Sequence, residues 1–213
     1  MKFIENKHEF NSALIGLILG DGHMQNEHYL VIQHGGKQLD YIDEIVSYLS
    51  AYIKPTVIRS GVNKNGYDYR YAYFNSQHFS NLYKKIYIKK KKHLLPKIVN
   101  RMDEISLAFL YMDDGSLCLR KDKKGCISSR EIYLSVHSFN FQEVEYFQKY
   151  LQRKYNIYFH ISTDKGHPRM WCNTENTIKF LSLVAPIVQN FPTMHYKLDL
   201  KYKIKPINFL PKK

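Results

Sequence analysis

The sequence predicts an α+β fold: a pseudo-twofold pair of αββαββα repeats with two apolar helices packed together at the centre and antiparallel sheets around them. Three observations carry this reading. LIGLILGDG at residues 14–22 returns as LAFLYMDDG at 107–115, each an apolar helical run closing on Asp-Gly. YLVIQH (29–34) resembles YLSVHS (133–138), and IDEIVSYL (42–49) matches VEYFQKYL (144–151), which sets Gln33 opposite His137 in the repeat. After each apolar run the hydrophobic period also alternates in the same order, with two extended segments, a helix, two extended segments and a helix.

In the first half, Ser12, with Asn11 as the alternative, is suited to cap the first central helix. Gly16 and Gly20 lie four residues apart on one face of it, where a second backbone can come close. An extended segment at 28–33 runs into a turn at Gly35-Gly36, and helical spacing resumes over 40–53 with Ile42, Ile45, Val46 and Leu49 on one side, until Pro55. Strands at 56–60 and 67–75 flank the turn Asn63-Lys-Asn-Gly66. A helix over 76–87 follows, with Phe79, Leu82, Tyr83 and Ile86 as its apolar side, and then a basic connector, Lys89 to His93.

The second half repeats the order. A central helix over 105–114 leads to a hairpin over 116–137 with a longer, more basic tip at 121–125. Next come a helix over 141–155, strands at 157–163 and 169–173, and a helix from Thr174 through Leu183. The division is therefore 1–92 and 93–213. The copies differ at one face: Phe109 and Asp113 stand where the first run has Gly16 and Gly20, so close contact is asymmetric, with small Ala108 available on the second helix. The Asp113 side chain reads as a cap or an exposed neighbour.

The chemistry follows from where the acids fall. Asp21 and Asp114 end the two runs, at the negative pole of a helix dipole, where a carboxylate is disfavoured. Each precedes a glycine suited to the left-handed position past a helix end. Two runs packed in parallel bring both carboxylates together over two negative poles, an arrangement that repels unless divalent cations lie between them. One Asp-Gly ending would read as a turn after a buried helix; two at matching positions do not.

Charge narrows the partner. The 213 residues carry 32 Lys and Arg against 19 acids, a net +13, which favours a polyanion, and nucleic acid above all. A membrane is not expected, because no apolar run approaches the roughly 20 residues of a span and no amphipathic anchor stands out. The N-terminus has no signal-peptide core, so the protein is expected to be intracellular and not secreted. Cys118, Cys126 and Cys172 are odd in number and form no CxxC pair, which suits a reducing compartment. The histidines, among them His23, His28 and His34, lack zinc spacing. Basic side chains cluster on the hairpins: Arg59, Lys64, Asn65 and Arg70 among Tyr67, Tyr69, Tyr71 and Tyr73; Arg120, Lys121, Lys123, Lys124 and Arg130; Lys165, His167 and Arg169. These are the expected DNA contacts, phosphates being fixed by cations and base edges read by Asn, Arg and polar tips.

Both nonapeptides resemble the motif of the LAGLIDADG homing endonucleases in the form with two motifs per chain. LSVHSFNFQEVEYFQKYL (134–151) and HYKLDL (195–200) are similar to the branch containing the yeast mitochondrial omega-intron endonuclease. The resemblance implies a saddle of sheets on double-stranded DNA, a double-strand break with short 3′ overhangs, and intron mobility. It implies Asp21 and Asp114 as metal ligands, with the backbone carbonyls of Gly20 and Asp113 beside them. Lys197, and either Lys92 or His93, become the basic residues near the cleft. Gln33 and His137, leaving adjacent strands, hold solvent, contact DNA or serve the core. Magnesium is the expected cofactor, with manganese as a substitute, and the protein is expected to act as a monomer. The alternatives on the same scaffold are an intron-RNA maturase, which would tolerate loss of one acid, and a non-catalytic DNA-binding regulator. Abundant Lys, Tyr, Ile and Asn suit an AT-rich genome without separating organelle from bacterium or phage.

Overall fold

The computed structural model describes residue 4 and residues 6–198, so Asp199 and Leu200 of HYKLDL and the rest of 199–213 lie outside the described residues. The chain runs α1 (Lys7–Leu19), β1 (His23–Met24), β2 (Tyr29–Gly35), α2 (Tyr41–Leu49), β3 (Val57–Val62), β4 (Asp68–Asn75) and α3 (Phe79–Ile86). A two-strand hairpin, β5 (Tyr87–Ile88) and β6 (Lys91–Lys92), and the short α4 (Pro96–Val99) join this to the second half. There α5 (Glu104–Asp114), β7 (Gly115–Lys121), β8 (Ile127–Leu134), α6 (Phe141–Tyr155), β9 (His160–Asp164), β10 (His167–Cys172) and α7 (Thr174–Val188) repeat the order. The αββαββα repeat is present twice, and the two sheets have matching antiparallel orders, β1-β2-β4-β3 and β7-β8-β10-β9.

The central helices are apolar all round because they are covered all round. In α1 every residue from Phe10 to Leu19 except Asn11 is buried, and in α5 every residue from Ser106 to Met112. They pack in parallel. A Cβ on Gly16 would stand 2.4 Å from the Ser106 carbonyl oxygen and 2.7 Å from the Phe109 Cβ, while one on Gly20 would meet Asp113 at 2.5 Å. The Phe109 ring turns away to Tyr48 and Phe191, 5.4 and 5.3 Å between centroids, filling a core shared by both halves.

The helix begins earlier than its apolar run suggests. Asn6, not Ser12 or Asn11, caps α1, its side-chain oxygen accepting from Glu9 N–H at 3.0 Å. Ser12 is inside the helix and buried, donating its hydroxyl to Asp103 at 2.6 Å. Asp103 in turn forms the capping box of α5 with Ser106, so one buried carboxylate ties the two central helices at their N-terminal ends. The glycines past the helix ends also differ from expectation. Gly115 is extended at φ −89° and Gly22 is not left-handed. Their lack of a side chain serves packing instead, since a Cβ would stand 2.6 Å from the Leu17 carbonyl oxygen at Gly22 and 2.0 Å from the Tyr111 ring at Gly115.

The basic connector is not a solvated run alone. Lys89 and Lys90 occupy the left-handed region at φ 48° and 65°, the mirror-image turn that closes a two-residue hairpin. That hairpin returns Lys92 to the end of α1.

Candidate endonuclease centre

Asp21 lies two residues past α1, and Asp114 is the last residue of α5, at the point where each central helix hands over to a sheet. Parallel packing brings both to one end. Burial, and next the charge of Asp21, raise Asp114 from the usual carboxylate range to about 7, with Lys92 and Lys197 pulling the other way. Asp21 stays open, its side chain 45% exposed.

Two lysines close the helix ends. Lys92 Nζ donates to the Gly20 carbonyl at 2.6 Å. Lys197, buried, donates to the carbonyls of Tyr111, Met112, Asp113 and Gly115, and those of Met112 and Asp113 are among the oxygens that the end of α5 leaves without intrahelical partners. Desolvation lowers the pKa of both ammonium groups; Asp114, Asp113 and Asp21 raise that of Lys92, and Asp113, Asp21 and Asp114 that of Lys197. Each half thus sets one cation at the negative pole of its own central helix. The Gly20 and Asp113 carbonyls, expected as metal ligands, each accept from one of these lysines and retain a second lone pair.

His93 is elsewhere. Its Nδ1 lies 2.8 Å from Glu143 Oε1, in the capping box of α6, because the hairpin alternation turns it away from the side of Lys92. Of the two upstream basic candidates, Lys92 is the one beside the acids.

Asp113 is neither exposed nor a simple cap. Its side chain is 0% exposed, and its Oδ2 accepts the Asp21 N–H at 3.0 Å. Burial and then the charge of Asp21 push its pKa well up. Against it lies His34, 2% exposed, with Nε2 at 3.9 Å from Asp113 Oδ1 and Nδ1 at 3.7 Å from Asp21 Oδ2. Burial lowers the His34 pKa, opposed by Asp21. The Tyr41 ring packs on His34 at 4.8 Å. From the sequence Asp113 reads as a cap or an exposed neighbour, and His34 and Tyr41 have no role at the site, although a signal exists: His34 has the same parity as Leu30 and Ile32 along its strand, which puts a titratable ring on the buried face.

Register sorts the remaining candidates by face. In the first sheet, Gln33 stands opposite Tyr71, which stands opposite Arg59, and all three share the face away from the helices with Tyr69 and Tyr73. Arg70 is on the other face, where it pairs with Asp43 of α2 at 2.7 Å. The expectation of a DNA contact there is therefore corrected, because alternation sends the tyrosines outward and Arg70 to the helices. In the second sheet the open face carries Arg120, Glu131, Tyr133, Arg169, His167 and Trp171. Arg120 pairs with Glu131 at 3.0 Å, and the Arg169 guanidinium lies 4.0 Å above the Tyr133 ring. Arg130 shares the parity of buried Ile132 and Leu134, so it too belongs to the helix side. Lys64 and Asn65 are in the exposed β3–β4 turn, Lys123 and Lys124 in the β7–β8 turn next to Lys121, and Lys165 in the β9–β10 turn at φ 49°. His137, past β8, lies 3.6 Å from Asp164 rather than beside the acids.

Known proteins resemble this chain in sequence and fold. An "intron-encoded endonuclease 1" of Wickerhamomyces canadensis, whose name carries the qualifier "Probable", is 30% identical over 195 residues, covering 87% of this chain and 82% of that one. The structure of the homing endonuclease I-WcaI bound to its DNA recognition sequence superposes with a TM-score of 0.75 at 27% identity, covering 93% of this chain and 88% of that one. I-DmoI in complex with DNA and Mn shares the fold at 18% identity and a TM-score of 0.50, covering 84% of this chain and 97% of that one. The model of the LAGLIDADG DNA endonuclease family matches residues 11–180, the span that holds most of α1, all of α5, both acids and both sheets, and the chain belongs to that family.

Proposed function

We propose that this chain is a site-specific homing endonuclease that makes a magnesium-dependent double-strand break in a long DNA target, with manganese as a substitute, and that it promotes the mobility of an intron. The observation that carries the reading is the placement of Asp21 and Asp114 at one end of two parallel helices, where the Asp21 N–H donates to Asp113, the residue before Asp114, at 3.0 Å. Hard carboxylate oxygens with one open side suit a cation that keeps several waters and also binds phosphate. Asp21 and Asp114 would hold it. When bound, such an ion polarises a phosphodiester and lowers the pKa of an attacking water.

The chain's own groups do the rest. Lys92 and Lys197 place positive charge against the acids, where it offsets the charge gathering on a phosphate in the transition state. Arg59, Lys64, Asn65, Arg120, Lys121, Lys123, Lys124, Lys165, His167 and Arg169 supply the contacts to phosphates and base edges, and Gln33 and His137 hold solvent or contact DNA. The two units are 1–92 and 93–213, acting together as a monomer.

Asp21→Asn and Asp114→Asn are each expected to keep DNA affinity and to lose cleavage by more than the roughly 10- to 100-fold typical of an outer-sphere change. Incubation with DNA carrying a candidate insertion site, with magnesium or a chelator, followed by a gel for linear product, checks this. Full double-strand cleavage by both variants would remove the assignment.

A further inference from the structure

The two acids are not held alike. Position seven of the repeated motif is Gly20 in one copy and Asp113 in the other, and the glycine admits the carboxylate, since a Cβ there would stand 2.5 Å from Asp113 Oδ2. Asp113 then takes the Asp21 N–H at 3.0 Å and so fixes the backbone from which the Asp21 side chain springs. From the other side His34 places Nδ1 3.7 Å from Asp21 Oδ2.

Burying these polar groups costs desolvation. His34 Nε2 is buried without a protein hydrogen-bond partner, and groups of that kind are few in native proteins. An apolar residue at 34, on the face of Leu30 and Ile32, would avoid that cost. Around Asp114 the corresponding positions are Gly20, which has no side chain, and Ser138, and its charged neighbours are instead Asp21, Lys92 and Lys197.

Resting on the endonuclease reading above, we propose that Asp113 and His34 are positioning residues that hold Asp21 as a metal ligand, in one half only, so that one of the two strand cuts depends on them and the other does not.

The test uses the full chain and a supercoiled plasmid carrying a recognition site recovered by selection from randomised DNA. Asp113→Ala and His34→Ala are expected to slow the second cut by about tenfold to 100-fold and leave the first near wild type, so that nicked circles accumulate. Manganese titration followed by electron paramagnetic resonance is expected to show a similar rise in the half-saturating concentration for part of the bound ion. Asp113→Asn, which keeps an oxygen for the Asp21 N–H, restores both readouts. Where Asp113→Ala does not fold, His34→Asn carries the same measurements. Equal slowing of both strands, or unchanged manganese binding with only a lower melting temperature, overturns the proposal. A wild-type chain that binds the site and cuts neither strand sinks the endonuclease reading instead, while the manganese titration still reports on the positioning.

Discussion

Asp114 makes metal uptake a proton exchange. With its pKa raised to about 7 by burial and by Asp21, it carries a proton on the acid side of neutrality, and a cation has to displace that proton. Magnesium affinity is therefore expected to fall about tenfold per pH unit below 7 and to level off above it. Calorimetry in buffers of differing ionisation heat would show proton release at pH 6 and little at pH 8. The sign for stability is the reverse of the usual carboxylate case. The metal-free fold holds a proton that the unfolded chain releases between 3.8 and about 7, so its stability falls as pH rises through that window. At this scale the sequence was partly legible. Asp21 and Asp114 stood out by motif, while Lys197 came only with the family resemblance and Lys92 could not be separated from His93. Arg70 could not be assigned a face, because a period of two separates the faces of a strand without saying which one meets the helices. His34 was readable as an inward titratable residue only once Leu30 and Ile32 were known to point inward.

Elements were more legible than their ends. The order of helices and strands within each repeat followed from hydrophobic period, turn residues and the repeat itself, while the β5–β6 hairpin and α4 read only as a basic connector. Helix α1 begins at Lys7, well before its apolar run, because its first turn is polar and capped by Asn6. The interface between α1 and α5 is where a small change has the largest effect. Gly16→Ala would place a methyl group 2.4 Å from a backbone oxygen that cannot rotate away, and 2.7 Å from the Phe109 Cβ. Overpacking of this kind typically costs about 1–3 kcal/mol, which thermal unfolding would read as a loss of several degrees. A melting temperature within one degree of wild type would mean that the helices part more easily than their packing implies.

Across the whole molecule, charge and duplication work together. A net +13 with cations on the open sheet faces is expected to give DNA affinity that falls by roughly 10³ or more between 50 and 200 mM salt. A flat response in a filter-binding titration would remove the polyanion argument. The single apolar core, which includes Tyr48 from one half and Phe109 and Phe191 from the other, explains why the halves read as repeats in sequence but fold as one body.

The fit of Gly20 to Asp113 is also a fit between the halves. A symmetric dimer of the first half would set glycine against glycine and leave a void between the helices. One of the second half would press two carboxylates into the same dry space. The two halves are thus complementary at this contact, so any exchange of halves with a relative has to carry both sides of it or repair it.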